Sequence, residues 1–305
     1  MIRLRAELRA RRARLGGSAH PARLLIRLDD LNAPGPDPGP GILPQAEVHR
    51  FIVAAVMWGG ALPVRVVGRA DNPRVADTVR FAWRLECPVR LRTNARGLAD
   101  RAELLVDSGL RELRVAVAGP RQEAACGDTE AEVHQALAAL RRAKEERRAQ
   151  YPTVIAEVPI SPETADVVPA VLRTMRDAGA DAVELTPPFR GPAVEESQWV
   201  LLDVAAVDRP PFHRTPEAVL ASLREPASGD APGNPRRRGR DGASCPLGTL
   251  QIELTAQGAL RSCPFHADMT PWNGDISADW ARLAAHRGHI RSCERRCLHP
   301  DLTPW

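Results

Sequence analysis

The sequence predicts an α/β protein with about six parallel strands and a small cysteine-rich domain at its C-terminal end. Two observations predict this fold. Short apolar strands alternate with helical segments between residues 23 and 186, and the loops that join them are short, which favours a parallel sheet with right-handed crossovers. Four of the six cysteines lie between residues 245 and 297. The alternation alone fits both a partial (β/α) barrel and a flat doubly wound sheet.

Each strand is predicted from a short apolar run that ends in a polar loop, and each helix from apolar side chains that recur every three or four residues. Strands are predicted at residues 23–28, 64–67, 89–91, 112–117, 153–160 and 182–185. Helices are predicted at residues 43–58, 74–85, 98–108, 129–149 and 166–177. Thr129 opens its helix as a candidate N-cap residue. The strands and helices therefore alternate from the first to the last.

Composition divides the chain into four segments. Residues 1–22 are basic and predict an N-terminal helix or arm, and residues 23–215 contain the alternating strands and helices. Residues 216–242 are rich in Pro, Gly, Ala and Arg, which predicts a flexible linker. Residues 243–305 form the cysteine domain, in which an alternating strand at 250–254, a Gln-Gly turn and a return strand predict a hairpin. A short helix is expected at 279–286.

Bulk composition excludes several classes of partner. The net charge is only +4, and one Tyr with five Phe offers few surfaces on which bases stack, so we expect no nucleic-acid binding. The longest apolar run is too short to cross a bilayer, and no secretory signal is visible, so we expect a cytoplasmic protein without a membrane partner. In a reducing compartment, cysteines are more often metal ligands or catalytic groups than disulfides.

The predicted hairpin brings Cys245 and Cys263 together, and a second pair, Cys293 and Cys297, completes a four-thiolate site when it folds back. Thiolates hold both iron–sulfur clusters and zinc. The wide spacing of the first pair favours a cluster, whereas the close spacing of the second pair suits zinc. For zinc, His266 and His299 are alternative ligands. Both metals remain open at this point.

The ordered motifs resemble those of the radical S-adenosylmethionine (SAM) enzymes. A strand followed by Gly68-Arg-Ala-Asp71, a strand followed by Thr93-Asn94, and the spacing Cys245-x12-Gly258-x4-Cys263 of a SPASM or twitch extension carry the resemblance, which covers residues 23–300. It implies a partial (β/α) barrel, cofactor contacts at Gly68, Asp71, Thr93 and Asn94, and a peptide substrate or partner enzyme. It also implies one auxiliary [4Fe–4S] cluster. The ligands implied for that cluster are Cys245, Cys263, Cys293 and Cys297.

The loop after the first strand departs from the family. There the radical SAM enzymes have Cys-x3-Cys-x2-Cys, whose thiolates hold the catalytic cluster, but residues 29–41 contain no cysteine. Cys87 and Cys126 are isolated on later elements. We therefore expect that reductive cleavage of SAM is lost, while binding of SAM stays open.

The leading hypothesis is a degenerate, non-catalytic partner or electron-relay subunit in peptide or natural-product modification. One alternative is a barrel enzyme that still binds SAM or uses Asp29, Asp30 or Glu184. Another is a zinc-stabilised binding module. Glu157 and Glu184 interrupt apolar strands, so they either line a cavity, pair with arginines or face water.

Overall fold

A computed structural model describes residues 21, 23–29, 41–117, 129–159, 168–186, 251–261 and 269–290. The strands are β1 (Arg23–Arg27), β2 (Val64–Val67), β3 (Val89–Thr93), β4 (Glu112–Ala116), β5 (Thr153–Pro159), β6 (Ala182–Thr186), β7 (Gln251–Leu254), β8 (Ala259–Arg261) and β9 (Thr270–Pro271). The helices are α1 (Gln45–Gly59), α2 (Pro73–Arg84), α3 (Leu98–Val106), α4 (Glu130–Glu146), α5 (Val168–Ala178) and α6 (Ile276–Ile290). Apart from residue 21, the predicted arm lies outside these residues, as does the predicted linker. The cysteines outside them are Cys126, Cys245, Cys263, Cys293 and Cys297.

The described strands form one sheet in the order β6-β5-β4-β3-β2-β1-β7-β8-β9. Every pairing from β6 to β7 is parallel, and β8 and β9 add antiparallel strands at the end. The predicted α/β fold, a partial barrel of parallel strands and crossover helices, is confirmed. The predicted hairpin forms β7 and β8, and β7 pairs with β1, so the barrel sheet continues past residue 243.

Local sequence signals place the helix starts. The side chain of Asn72 accepts a hydrogen bond from the Arg74 N–H at 3.0 Å, which caps α2 next to Pro73. Thr129 and Glu132 form the reciprocal capping box expected at the start of α4. These caps satisfy donors that a helix N-terminus otherwise leaves without partners.

The main core lies between the helices and one face of the sheet. Strand residues alternate in direction, so Leu24 and Ile26 of β1 join this core, whereas Leu25 packs separately with Val67 on the opposite face. Phe51 of α1 is fully buried in the main core, and its ring lies perpendicular to the Trp272 ring with the centroids 5.2 Å apart. We call the face opposite the helices the inner face. Among the described helices, none is long and apolar enough to cross a membrane.

Candidate functional site

The inner face of the sheet is charged. Strand alternation and the observed register assign its side chains, and in the described strands they include seven arginines and four glutamates. They are Arg23, Arg27, Arg65, Arg90, Arg92, Arg114, Arg261, Glu112, Glu157, Glu184 and Glu253. Parallel strands covered on both faces are normally apolar throughout. This face therefore has a composition suited to polar ligands.

A network centred on Arg114 joins strands β3 to β6. The Arg114 Nη1 donates to Glu157 Oε1 at 3.3 Å and also bonds Glu184 Oε2, while its Nε donates to Glu112 at 2.7 Å. Arg92 Nε donates to Glu157 Oε2 at 2.6 Å. The register pairs Glu157 directly with Glu184, so the arginines separate two adjacent carboxylates. The sequence left open whether Glu157 and Glu184 line a cavity, pair with arginines or face water. In the structure, both glutamates are buried and both pair with arginines.

Burial and neighbouring charges shift the ionisation of this network. Burial alone would lower the pKa of Arg114, but the three surrounding carboxylates outweigh it and raise that pKa. Burial opposes ionisation of Glu157, yet Arg92, Arg114 and Arg65 lower its pKa to about 2. Burial raises the pKa of Glu184, and Glu157 adds to the rise while Arg114 opposes it. The two neighbouring carboxyls thus differ in their affinity for a proton.

Arg65 extends the positive side of this network onto β2. Burial and the nearby Arg114 lower the pKa of Arg65 to about 9, while Glu157 opposes the decrease.

A second group of ion pairs lies farther along the inner face. There, Glu253 Oε1 accepts hydrogen bonds from Arg27 Nε at 2.8 Å and from Arg261 Nη2 at 2.6 Å.

The predicted cofactor contacts lie in two neighbouring loops after β2 and β3. A Cβ at Gly97 would lie 2.6 Å from the Asp71 Cβ, and Gly97 has a positive φ of 64°, so a glycine permits this approach. Asp71 accepts a hydrogen bond from Arg69 Nε at 3.1 Å and keeps its side chain 34% exposed. Thr93 is fully buried and its hydroxyl donates to the Asn94 carbonyl at 3.3 Å. The loops can therefore present Asp71 to a ligand more readily than Thr93.

Gly68 and Asp29 order the first of these loops. The Gly68 N–H donates to the Arg92 carbonyl at 3.1 Å, and a Cβ at Gly68 would lie 2.8 Å from Val75 Cγ2. Asp29 Oδ2 accepts hydrogen bonds from the Arg69 N–H at 3.1 Å and from Asn72 Nδ2 at 2.8 Å. That carboxylate therefore holds the loop after β2 in place. Asp30 lies outside the described residues.

The predicted thiolate ligands, Cys245, Cys263, Cys293 and Cys297, lie outside the described residues, as do His266 and His299. Within the described part of the chain, no group of three or more His, Cys, Asp or Glu side chains could hold a metal ion. Cys87 is buried in the core, where burial raises the pKa of its thiol.

The fold is similar to that of SuiB from Streptococcus suis. The match to SuiB bound to S-adenosylmethionine has a TM-score of 0.60 at 11% identity and covers 95% of this chain and 69% of that chain. SuiB bound to its precursor peptide SuiA matches with a TM-score of 0.60 at 10% identity, over 95% and 70% of the two chains.

A third SuiB structure matches with a TM-score of 0.55 at 10% identity, over 86% of this chain and 66% of that chain. No protein-family model matches the sequence, and no curated protein matches it either. At these identities the likeness establishes the fold, and it supports the partial barrel that the ordered motifs predict.

The sequence singled out Glu157 and Glu184 but not the particular arginines that pair with them, Arg92 and Arg114. A signal was present, since β3 carries arginines at alternate positions, as in Val89-Arg-Leu-Arg, and β2 and β4 each carry one arginine between apolar residues. In a strand of a parallel sheet, such alternation indicates one polar face. That signal would have assigned Arg65, Arg92 and Arg114 to the same face as the glutamates.

Proposed function

We propose that this chain is a degenerate radical SAM-type protein that binds a peptide on the inner face of its barrel. In this proposal it carries one auxiliary [4Fe–4S] cluster and acts as a non-catalytic partner or electron-relay subunit in peptide modification. The observation that carries the proposal is the charged, ion-paired inner face of the sheet. A peptide presents main-chain hydrogen-bonding groups and charged side chains, which such a face can pair with.

The similarity of the fold to SuiB supports a peptide as the ligand. Structures of SuiB, whose fold this chain shares, hold S-adenosylmethionine in one case and the precursor peptide SuiA in another. The arginines exceed the glutamates on the inner face in the described strands, and the side chain of Arg92 is 39% exposed. Arg92 can therefore contact a ligand while it remains paired with Glu157.

The loop after β1 supports loss of radical chemistry. It contains no cysteine between residues 29 and 41, so no thiolate of that loop can hold a catalytic cluster. Asp29, at its start, uses its Oδ2 to order the loop after β2. Its carboxylate thus has a structural role at the C-terminal end of β1.

The residues near Asp71 fit the ammonium end of SAM. Asp71 supplies a partly exposed carboxylate at the end of β2, which is the kind of acceptor that an ammonium group requires. Asn94, in the neighbouring loop, adds an amide, but it is only 3% exposed, so Asp71 makes the main contact. In this proposal these residues bind SAM as a ligand. A D71N variant should then weaken SAM binding about tenfold in isothermal titration calorimetry, because a charge-assisted hydrogen bond becomes neutral.

Four cysteine thiolates are the basis for proposing an iron–sulfur cluster. Four thiolates, from Cys245, Cys263, Cys293 and Cys297, would complete one four-iron cluster with no open position. The hairpin of β7 and β8 lies between the first two of these cysteines in sequence, and its strands are antiparallel. When bound, such a cluster supplies electron transfer or a structural cross-link.

Metal and sulfide analysis of anaerobically purified protein tests this proposal. We expect brown protein with about four irons and four sulfides per chain. Cys263→Ala should lose the iron, whereas Cys87→Ala should keep it because Cys87 is a buried core thiol. Colourless protein with one zinc would contradict the cluster. Formation of 5′-deoxyadenosine from SAM under reducing conditions would contradict the degenerate assignment.

The second candidate function is a barrel enzyme, and Glu184 favours it. Its Oε1 is buried without a hydrogen-bond partner, and burial raises the pKa of the carboxyl, as expected of a group that exchanges protons. The test incubates a precursor peptide with the chain alone, SAM and a reductant. A mass change that is lost in Glu184→Gln and kept in the surface variant Glu103→Gln would assign catalysis to Glu184. No mass change would leave the partner role as the better account.

A further inference from the structure

The β7–β8 hairpin carries three buried polar atoms that lack hydrogen-bond partners. Among the described residues, these are Gln251 Nε2, Glu253 Oε2 and Arg261 Nε. Gln251 is 1% exposed and Glu253 is fully buried. Buried polar groups in folded proteins are nearly always hydrogen-bonded. Three unpaired atoms on one hairpin therefore indicate a group that is supplied from outside the described structure.

The three side chains share the inner face. Glu253 lies directly opposite Arg261 in the antiparallel register, and Gln251 precedes Glu253 by two residues on the same face of β7. Two residues along a strand span about 7 Å, so the three unpaired atoms lie within the reach of one small polar ligand.

Ion pairs hold two of these side chains in place. Glu253 uses its Oε1 for both Arg27 and Arg261, so its Oε2 stays free for another donor. Arg261 uses Nη2 for that pair, and its Nε stays free for another acceptor. Gln251 Nε2 offers two further N–H donors. The cluster thus combines one anionic acceptor on Glu253 with the N–H donors of Gln251 and Arg261.

This pattern selects one chemical class. A carboxylate or phosphate would match the donors but has no N–H for Glu253 Oε2, which would stay buried without a hydrogen-bond partner. A lone ammonium group would pair with Glu253 and leave the donors of Gln251 and Arg261 unpaired. A peptide main chain presents an N–H and a C=O within each residue, so it satisfies the acceptor and the donors together.

We propose that Gln251, Glu253 and Arg261 form a subsite that binds the main chain of the peptide ligand. This inference rests on the peptide binding proposed above. In the strand order, β7 is five positions from β5, which is about 24 Å along the sheet at 4.8 Å per strand. An extended peptide covers that distance with about seven residues. One such peptide can therefore contact the hairpin subsite and the Arg114 network together.

The subsite is tested by selecting binders from a phage-displayed library of random dodecapeptides on the full chain. The selected peptide is then measured against wild type, Gln251→Leu and Gln135→Leu by fluorescence anisotropy. Gln135 lies exposed on α4, so its variant is a matched control. We expect Gln251→Leu to bind about three- to tenfold more weakly and Gln135→Leu to bind as wild type does. The melting temperature of unbound Gln251→Leu should equal or exceed that of wild type, because a buried unpaired donor is removed.

N-methylation of single peptide bonds in the selected peptide provides a second measurement. At one position, it should weaken binding to wild type at least tenfold, because the N–H that Glu253 accepts is lost. Equal affinity of wild type and Gln251→Leu, together with no sensitive N-methyl position, would overturn the subsite alone. Enrichment of no peptide would overturn the proposed peptide binding, and the subsite with it.

Discussion

Glu157 is the residue whose replacement tests the inner-face network most directly. Its two oxygens accept hydrogen bonds from Arg92 at 2.6 Å and from Arg114 at 3.3 Å, and its side chain is 6% exposed. Glu157→Gln preserves the shape of the side chain and removes the charge. The arginines would then face a neutral amide. We therefore expect a loss of stability that arises from electrostatics rather than packing.

The magnitude follows from the shift in the pKa of Glu157. Burial opposes ionisation, but Arg92, Arg114 and Arg65 lower that pKa from 4.5 to about 2. By linkage, this difference corresponds to about 3 kcal/mol of unfolding free energy at pH 7. Part of the loss will be recovered, because Glu184 has a pKa raised in part by Glu157 and pairs better with Arg114 once that charge is removed.

The pH dependence has a definite sign. A carboxyl with a lowered folded-state pKa stabilises the fold above its unfolded pKa, here 4.5, and this contribution is lost as the pH falls toward about 2. Gln does not titrate. The difference between wild type and Glu157→Gln should therefore narrow from at most about 3 kcal/mol at pH 7 to at most about 1.5 kcal/mol at pH 3.

Urea denaturation followed by tryptophan fluorescence measures this difference at pH 7, 4.5 and 3. The matched control is Glu103→Gln, the same substitution in a pair with Arg147 at 2.7 Å where the glutamate side chain is 69% exposed. Solvent screens such a pair, so the control should show no measurable change. Equal unfolding free energies of both variants at pH 7 would contradict the inner-face network, as would a difference between wild type and Glu157→Gln that stays constant as the pH falls.

Two further substitutions probe the elements that support the inner face. Asp29→Ala removes the acceptor for the Arg69 N–H and for Asn72, so we expect the free energy of unfolding, measured by urea denaturation, to fall by about 1–3 kcal/mol. Asp29→Asn keeps an oxygen acceptor and should lower it less. Gly109→Ala places a Cβ 2.5 Å from the Trp83 ring at a φ of +81°, so it should cost at least about 1 kcal/mol and alter the fluorescence of Trp83. Unchanged stability in either case would contradict the contacts described.

Elements of the fold followed from the sequence because their causes are local. The apolar spacing in α1 and α2, the capping box at Thr129 and the turn at Gly258 each act within a few residues. The predicted strands and helices therefore agree with the observed ones to within a few residues. The largest difference is α6, which is predicted at residues 279–286 and observed at Ile276–Ile290. Its earlier start follows from Asp275, which accepts hydrogen bonds from the Ser277 and Ala278 N–H groups.

The candidate site is built from ion pairs between residues far apart in sequence, which local sequence patterns cannot predict. Arg92 and Glu157 are 65 residues apart in sequence, and Arg27 and Glu253 are 226 residues apart. The sequence by itself determined that charged residues interrupt apolar strands, and that the cysteines suited to metal binding are concentrated near the C-terminal end. Only the tertiary structure decided that β7 lies beside β1 and that the arginines meet the glutamates on one face. The physical reason is that strand order and register arise from the packing of the whole sheet, while periodicity reports only the direction of each side chain.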